Sequence, residues 1–321
     1  VNHGDTRGSR AAAVDDIDRA LLALLEGDGR ISYKEMSERV GLSSQAVSAR
    51  VAHLMERGTA KVIGSIAPEV LGYDRFATVG IRVDGPIEGV VAALVADPAT
   101  DLVAITVGDI DVIAEVVCQG ESELLGALDR IRCVPHVVSC VTHSYLEIFK
   151  YAYAREGILS VAGTALRGPV ATIPFALDET DKKIIETLRT DGRASYSYLA
   201  AEADTTYATA RRKYHRLVES GVVRIRTVFN PTRLGSEEVV AVFIDAVGDL
   251  KDIGKRLAEL SEVTIVMSTM GPCDLIVEAV CEDMASLADF LGTRLRAVPG
   301  IVSANAYPLM RVEKLAYTWA G

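Results

Sequence analysis

The chain reads as one plan written twice, and this repetition limits what it can fold into more than any other property. Adding 163 to a residue number in the first half lands on its counterpart in the second. Asp18 becomes Asp181, Asp28-Gly29-Arg30 becomes Asp191-Gly192-Arg193, Ser32-Tyr33 becomes Ser195-Tyr196, Gly58 becomes Gly221 and Pro68 becomes Pro231. The register holds through Gly108 and Asp111, which map onto Gly271 and Asp274, and slips by one near Pro135 and Pro299. Duplication of a unit of ~150 residues is the simplest origin. Any fold for this sequence must therefore be a fold for half of it, used twice.

Each copy opens with helical periodicity. Over residues 15–27 the apolar positions Ile17, Leu21, Leu22, Leu24 and Leu25 recur as on an amphipathic helix, which Asp28-Gly29-Arg30 ends. A second short helix, 33–40, leads through Gly41-Leu42 into a third. There Ser43 stands where it can cap the first turn, Val47, Val51 and Leu54 share one face, and Gly58 closes the helix. Ser44, Gln45, Ser48 and Arg50 remain for the outer side. In the second copy Thr206 is the cap and Ala210, Tyr214, Leu217 and Val218 are the inner face. Tyr207, Thr209, Arg211, Arg212 and Lys213 are the outer one. Three helices with a glycine at the sharp turn make a helix-turn-helix, and the third has the size and surface chemistry to enter a DNA major groove. A strand at 61–66 follows it.

The remainder of each unit changes period. Strands are expected at 78–83, 102–107, 112–118 and 137–145, with helices at 88–96 and 122–131; the second copy gives strands at 239–246, 263–268, 275–281 and 301–307, with helices at 250–260 and 284–295. The order βαββαβ is that of a ferredoxin-like sandwich, a four-stranded antiparallel sheet with both helices on one face. The fold class is thus α+β, two winged-type helix-turn-helix domains (15–66, 177–229) alternating with two βαββαβ domains (67–150, 230–321). Residues 1–14 read as a disordered leader and 151–176, with Gly157, Gly163, Gly168, Pro169 and Pro174, as a linker.

Composition narrows the function. The formal charge of −10 argues against attraction of nucleic acid by the whole surface, so DNA contacts must come from locally basic elements. The five cysteines form no CxxC pair, which suits a reducing, cytoplasmic setting. No apolar run reaches the ~18 residues of a membrane helix, and residues 1–14 lack a secretory apolar region. Cys133, His136, Cys140 and His143 have an eye-catching spacing for zinc. However, Cys140 and His143 are three apart on a strand and point to opposite faces, and the second copy has Ala297, Gly300, Ala304 and Tyr307 instead. No metal, no cofactor and no enzymatic activity are expected, since neither a nucleophile with its base nor a phosphate-binding glycine loop is evident.

A helix-turn-helix, a strand and a βαββαβ domain together resemble the Lrp/AsnC family of feast/famine transcriptional regulators. The resemblance rests on Asp18 with its leucine-rich helix, Asp28-Gly29-Arg30, the run Leu42-Ser43-x3-Val47-x2-Arg50-Val51-x2-Leu54-x3-Gly58, Gly108-x2-Asp111, and their counterparts in the second copy. It implies a covalently fused pair that binds duplex DNA, with further association into homo-oligomers. It also implies an amino acid or related effector at the sandwich interface that alters how sandwiches pack, within or between chains, and so changes the spacing of the DNA-reading helices. The loop of Gly108, Asp109 and Asp111, an ordinary turn on its own, then edges the effector pocket with Thr106 beside it; Thr269, Gly271 and Asp274 are the counterparts. Pro272-Cys273 replaces Asp109-Ile110, removing one amide and one carboxylate from the second pocket. The unlike outer faces of the two recognition helices imply an operator with unlike half-sites. The same architecture also resembles the sirohaem decarboxylases, for which His136, His143 and Arg155 are the only candidate residues; an effector sensor with decayed DNA contacts is the other alternative.

Overall fold

The computed structural model describes residues 14–66, 72–151, 176–229 and 238–315; the leader, nearly all of the linker and Arg155 lie outside them. The first helix-turn-helix consists of α1 (Asp16–Gly27), α2 (Tyr33–Val40) and α3 (Ser44–Glu56), followed by β1 (Ala60–Ile66). Asp15 caps α1 in a reciprocal box with Asp18, and Gly41, in the left-handed region at φ 71°, closes α2. The second unit repeats this with α6 (Glu179–Thr190), α7 (Tyr196–Glu202), α8 (Tyr207–Glu219) and β6 (Val223–Phe229). Leu21, Leu25, Met36, Val47 and Val51 form the core of one, and Ile184, Leu188, Leu199, Ala210 and Leu217 that of the other.

The two units are not separate beads. Strands β1 and β6 pair antiparallel over seven residues, Ala60 opposite Phe229 through Ile66 opposite Val223. The repeated Asp-Gly-Arg is the reason they come so close. Arg30 donates to the carbonyls of Gly192 and Ala194 at 3.0 and 2.8 Å, and Arg193 donates to those of Gly29 and Ile31 at 2.7 and 3.0 Å. At Gly192 the ribbon passes so near that a Cβ would lie 2.8 Å from the Ile63 carbonyl carbon.

The duplicated positions have also diverged inside this layer. Arg189 is buried in an ion pair with Glu186 at 2.8 Å, whereas its counterpart Glu26 is partly buried, with Oε2 lacking a hydrogen-bond partner among the described residues. Burial pushes the Glu26 carboxyl up to about 7. Because its folded value lies above its unfolded one near 4.5, its contribution to stability is complete below pH 4.5 and is lost as pH rises through 7. Glu26→Gln is expected to flatten that part of the stability–pH curve by about 1–2 kcal/mol, a figure reduced for partial exposure. Chemical denaturation at pH 4.5, 6 and 8 measures it.

Below the helical layer the two sandwiches share one sheet. The first has β2 (Arg75–Val83), α4 (Ile87–Ala96), β3 (Thr100–Ile105), β4 (Val112–Cys118), α5 (Gly120–Arg132) and β5 (Val137–Tyr151). The second has β7 (Glu238–Ala246), α9 (Leu250–Ala258), β8 (Val263–Met270), β9 (Leu275–Cys281), α10 (Met284–Asp289), β10 (Ile301–Pro308) and β11 (Arg311–Leu315). Strand order is β10-β7-β9-β8-β5-β2-β4-β3-β11. Strand β5 pairs with β2 through Ser144 and then with β8 through Tyr151, well past the end at 145 expected from sequence. The C-terminal strand makes the matching crossover: Leu309 donates to Val239 of the second sandwich and the next residue, Met310, to Ile105 of the first. Since β10 and β11 are successive pieces of that strand, the sheet closes into a barrel. The sequence shows no partner for residues 146–151 or 311–315 within their own half, so their strand character comes from the other half.

Helices α4 and α5, and α9 and α10, cover the outside over cores such as Val79, Leu94 and Ile131, and Val242, Leu257 and Phe290. Residues 290–294 continue α10 as a π-helical turn, with Leu295 N donating to the Phe290 carbonyl at 2.8 Å. In a continuous α-helix these two would lie roughly 140° apart. The wider turn buries both completely.

Inside the barrel Phe76, Ile113, Phe243, Met267, Ile276 and Leu309 pack together. They surround a cavity of about 50 Å³ whose lining includes Glu115 and Glu278, duplicated residues at the middle of β4 and β9. Glu115 accepts from the Tyr145 hydroxyl at 2.8 Å and Glu278 from Thr264 at 2.8 Å. Burial pushes the Glu278 carboxyl upward, as expected of an acid in an apolar interior.

Candidate nucleic-acid interface and effector loops

The third helix of each unit is held by its cap and its inner face, which fixes what it shows to solvent. Ser43 accepts from Ala46 N at 3.2 Å and Thr206 from Thr209 N at 3.2 Å, so both hydroxyls serve the helix start. Thr209 is part-buried, and its hydroxyl accepts from that of Thr206 at 3.1 Å. Ser44 and Gln45 are exposed on α3 with Ser48 half-buried behind them, and Tyr207, Arg211 and Arg212 are exposed on α8. Among the described residues neither Arg211 nor Arg212 has an ion-pair partner.

Two residues expected on this surface are elsewhere. Arg50 turns back to α1 and donates to Asp15 and Asp18, at 2.8 Å each. Lys213, only 8% exposed, does the same with Asp178 at 2.6 Å and Asp181 at 3.0 Å. All six residues obey the 163 offset, so arginine and lysine here do one structural job: each ties the third helix to the capping box of the first. The Lys213 ammonium, foremost, holds the Asp178 carboxyl down to about 2; Asp15 is lowered chiefly by the Asp18 amide and next by Arg50. Helical period places a basic residue at these positions outward, but it does not reveal a carboxylate packed beside it. In exchange, His215, one turn beyond Arg211, is exposed next to Arg212 and Arg211 on α8. Its i+4 spacing from Arg211 was the available signal.

The loops between β3 and β4, and between β8 and β9, share the same two anchors. Asp111 Oδ2 accepts from Val83 N at 2.8 Å, and Asp274 Oδ2 from Ala246 N at 2.8 Å. Thr106 N donates to the Asp111 carbonyl at 3.0 Å and Thr269 N to that of Asp274 at 2.8 Å. Each of these carboxylates thus anchors its turn to a neighbouring strand. Thr269 Oγ1 donates to the Cys273 carbonyl at 2.7 Å, while Thr106 Oγ1 is buried without a hydrogen-bond partner among the described residues.

An aromatic residue from the other half's last strand reaches each loop. Tyr307 donates to Asp109 at 2.9 Å, and burial, with Asp109 second, pushes its phenol up to about 12. Gly108, at φ 129°, brings the backbone close to the Tyr307 ring. Its counterpart His143 lies 3.2 Å from Cys273 Sγ, and Gly271 packs against the strand at Thr142. Asp109 and Gly108 are exposed, as are Gly271 and Pro272. Desolvation lowers His143 and pushes Cys273 up to about 11, so the pair is neutral rather than a thiolate–imidazolium. His143 faces inward and Cys140 packs with the helix-side core, opposite faces as the strand alternation requires. His136 is on the surface with Asp84 at 3.1 Å. No group of metal-ligating residues occurs among the described residues.

Comparison with known proteins agrees with this geometry. The AsnC-type helix-turn-helix domain matches residues 14–55 and again 177–218. The Lrp/AsnC ligand binding domain matches 239–318, and a C-terminal dimeric alpha+beta barrel domain matches 73–156. An HTH-type transcriptional regulator of Pyrococcus furiosus is 30% identical over 143 residues, which is 44% of this chain and 97% of the relative. The chain belongs to the Lrp/AsnC family. A second regulator of the HTH type, from Pyrococcus horikoshii, is 31% identical over 152 residues, 46% of this chain and 96% of that protein. Such relatives match less than half of this Lrp/AsnC chain at almost their full length, as the duplication requires. The siroheme decarboxylase NirDL, in co-complex with an iron-uroporphyrin III analogue, superposes with a TM-score of 0.58 over 93% of this chain and 92% of its own. At 16% identity that likeness concerns the fold alone. The chain is a transcriptional regulator of the Lrp/AsnC type, and no described helix is long and apolar enough to cross a membrane.

Proposed function

We propose that one chain acts as a fused pair of family units, presenting α3 and α8 to two unlike half-sites of duplex DNA, and that it is a regulator rather than an enzyme. The single observation that carries this is the exposed polar chemistry of the third helices: Gln45 on one, beside a Ser44 whose hydroxyl is 3.1 Å from that of Ser37, and Arg211 and Arg212 beside Tyr207 on the other. Glutamine matches the hydrogen-bonding edge of adenine and arginine that of guanine, and either arginine also suits phosphate. Acidic charge elsewhere leaves these helices as the attractive elements. An amino acid or related metabolite at the loop of Asp109 is the effector that the architecture supports, with chains associating further through their barrels. His143, held by Cys273, and His136, on the surface, do not converge on one cavity, which favours the non-enzymatic reading.

Selection of bound DNA from a random pool, followed by affinity measurement across salt, tests it. Arg211→Ala is expected to weaken binding by about 1–3 kcal/mol if it reads a base, with relaxed specificity at that position. If Arg211 or Arg212 contacts phosphate instead, its removal lowers the slope of log affinity against log salt by about 0.9. Gln45→Ala affects the other half-site only. Wild-type protein with no sequence preference would defeat the proposal.

A further inference from the structure

Arg30 and Arg193 lie away from the DNA-facing surface, yet their geometry constrains how that surface can be used. Each guanidinium donates two hydrogen bonds across to the opposite unit, one to the glycine carbonyl of its Asp-Gly-Arg turn and one to the carbonyl of the residue that follows the turn, at 2.7–3.0 Å. Each also stacks on aromatic rings there: Arg30 lies 4.7 Å from the Tyr214 centroid and 5.5 Å from that of Tyr196, and Arg193 4.9 Å from that of Tyr33. Tyr214 belongs to α8 itself, so a residue of the first unit touches the second recognition helix directly. Only a planar fork gives two parallel donors and a stacking face at once; a lysine in either place keeps the charge and forfeits both.

The clamp acts together with the β1–β6 ribbon and with the close approach at Gly29 and Gly192. Polar, stacking and main-chain contacts thus join the two helix-turn-helix units on matching sides of the ribbon. Where this layer meets the barrel, a cleft of about 280 Å³ lies between Arg57, Lys61 and Phe229 on one side and Val312 and Leu315 on the other.

We infer that Arg30 and Arg193 are positioning residues for DNA recognition, holding α3 and α8 at one separation so that a chain accepts one half-site spacing whether or not an effector is bound. The inference rests on the DNA-binding reading above. It replaces the expectation that an effector changes the spacing within a chain: the pair moves as one body, and a signal from the barrel shifts the whole layer or the association of chains.

The test uses the full chain and a panel of selected operators whose central spacer is changed by one to five base pairs. Wild-type protein is expected to lose at least tenfold in affinity away from its preferred spacing, with the same preference in a mixture of the common L-amino acids. Arg30→Lys with Arg193→Lys is expected to flatten the profile to within about threefold. A merely structural role would lower affinity at every spacing and leave the profile's shape intact, and that result overturns the inference, as does a wild-type optimum that moves with the amino acids.

Spin labels at the exposed Ala49 and Ala208, attached by non-cysteine chemistry because Cys133 is exposed, give a readout that needs no DNA. A single narrow distance in the wild type that broadens in the double variant supports the clamp; a broad wild-type distribution refutes it. A narrow distance in a protein that binds no operator would refute the DNA-binding reading and leave the clamp standing.

Discussion

Asp181→Ala is expected to destabilise the second helix-turn-helix unit by about 3–5 kcal/mol, the range for removing one partner of a buried ion pair. Asp181 is completely buried and accepts from Lys213 at 3.0 Å and from Arg216 at 2.5 Å. It also completes the capping box of α6 with Asp178. Truncation leaves the buried Lys213 ammonium with Asp178 alone, takes from Arg216 the carboxylate it donates to, and leaves the Asp178 amide without its acceptor. The first unit supplies an internal control. Asp18 there is 17% exposed and its partner Arg50 36%, so water compensates for much of what Asp18→Ala removes, and a loss nearer 1 kcal/mol is expected. Denaturant titrations of the two variants, followed by circular dichroism in the helical band, should differ in that order. Equal losses would mean that the two capping boxes share one environment, contrary to their burial.

Gly192→Ala has a comparably large expected effect, by a different mechanism. The new methyl carbon would stand 2.8, 2.9 and 3.0 Å from the carbonyl carbon, nitrogen and oxygen of Ile63, all main-chain atoms in the paired ribbon. Side chains can rotate away from such a contact; a hydrogen-bonded strand must shift as a whole. The Gly192 amide donates to Val62 at 2.8 Å, so the shift would also strain that bond. A cost of about 3 kcal/mol, at the upper end for overpacking, is expected. Gly29→Ala meets side-chain atoms instead, Val62 Cγ1 at 2.9 Å and Ile225 Cγ2 at 3.1 Å, and should cost about 1 kcal/mol. Unfolding midpoints rank the two variants. Because Gly192 sits where the units meet, its variant should also bind operator less tightly than Gly29→Ala does, although neither residue lies on α3 or α8.

These contrasts show how far the amino-acid order goes by itself. The 163-residue repeat, the 3.6-residue period of Leu21, Leu25, Val47 and Val51, the caps Ser43 and Thr206, and the alternation from Val112 to Cys118 determine the local elements. Each arises from torsional preference and from the choice between buried and wet within a few residues, and so the helix-turn-helix and βαββαβ units, and the family they indicate, were readable. The outward face of α8 at Arg211 and Arg212 was readable for the same reason.

Only the tertiary structure decided what faces what across the halves. Arg50 and Lys213 became internal ties because carboxylates 32 and 35 positions away in sequence pack beside them. The Asp-Gly-Arg repeat, visible as a motif, acquired its role as a clamp only when Gly192 and Ala194 carbonyls arrived beside Arg30. Residues 146–151 and 311–315 became strands because the other half offers unpaired edges at β8 and β3. Hydrogen bonds and ion pairs of this kind depend on spatial proximity between distant segments, which no window of sequence records; the duplication fixed the parts, and their mutual packing fixed how α3 and α8 are placed against the rest of the chain.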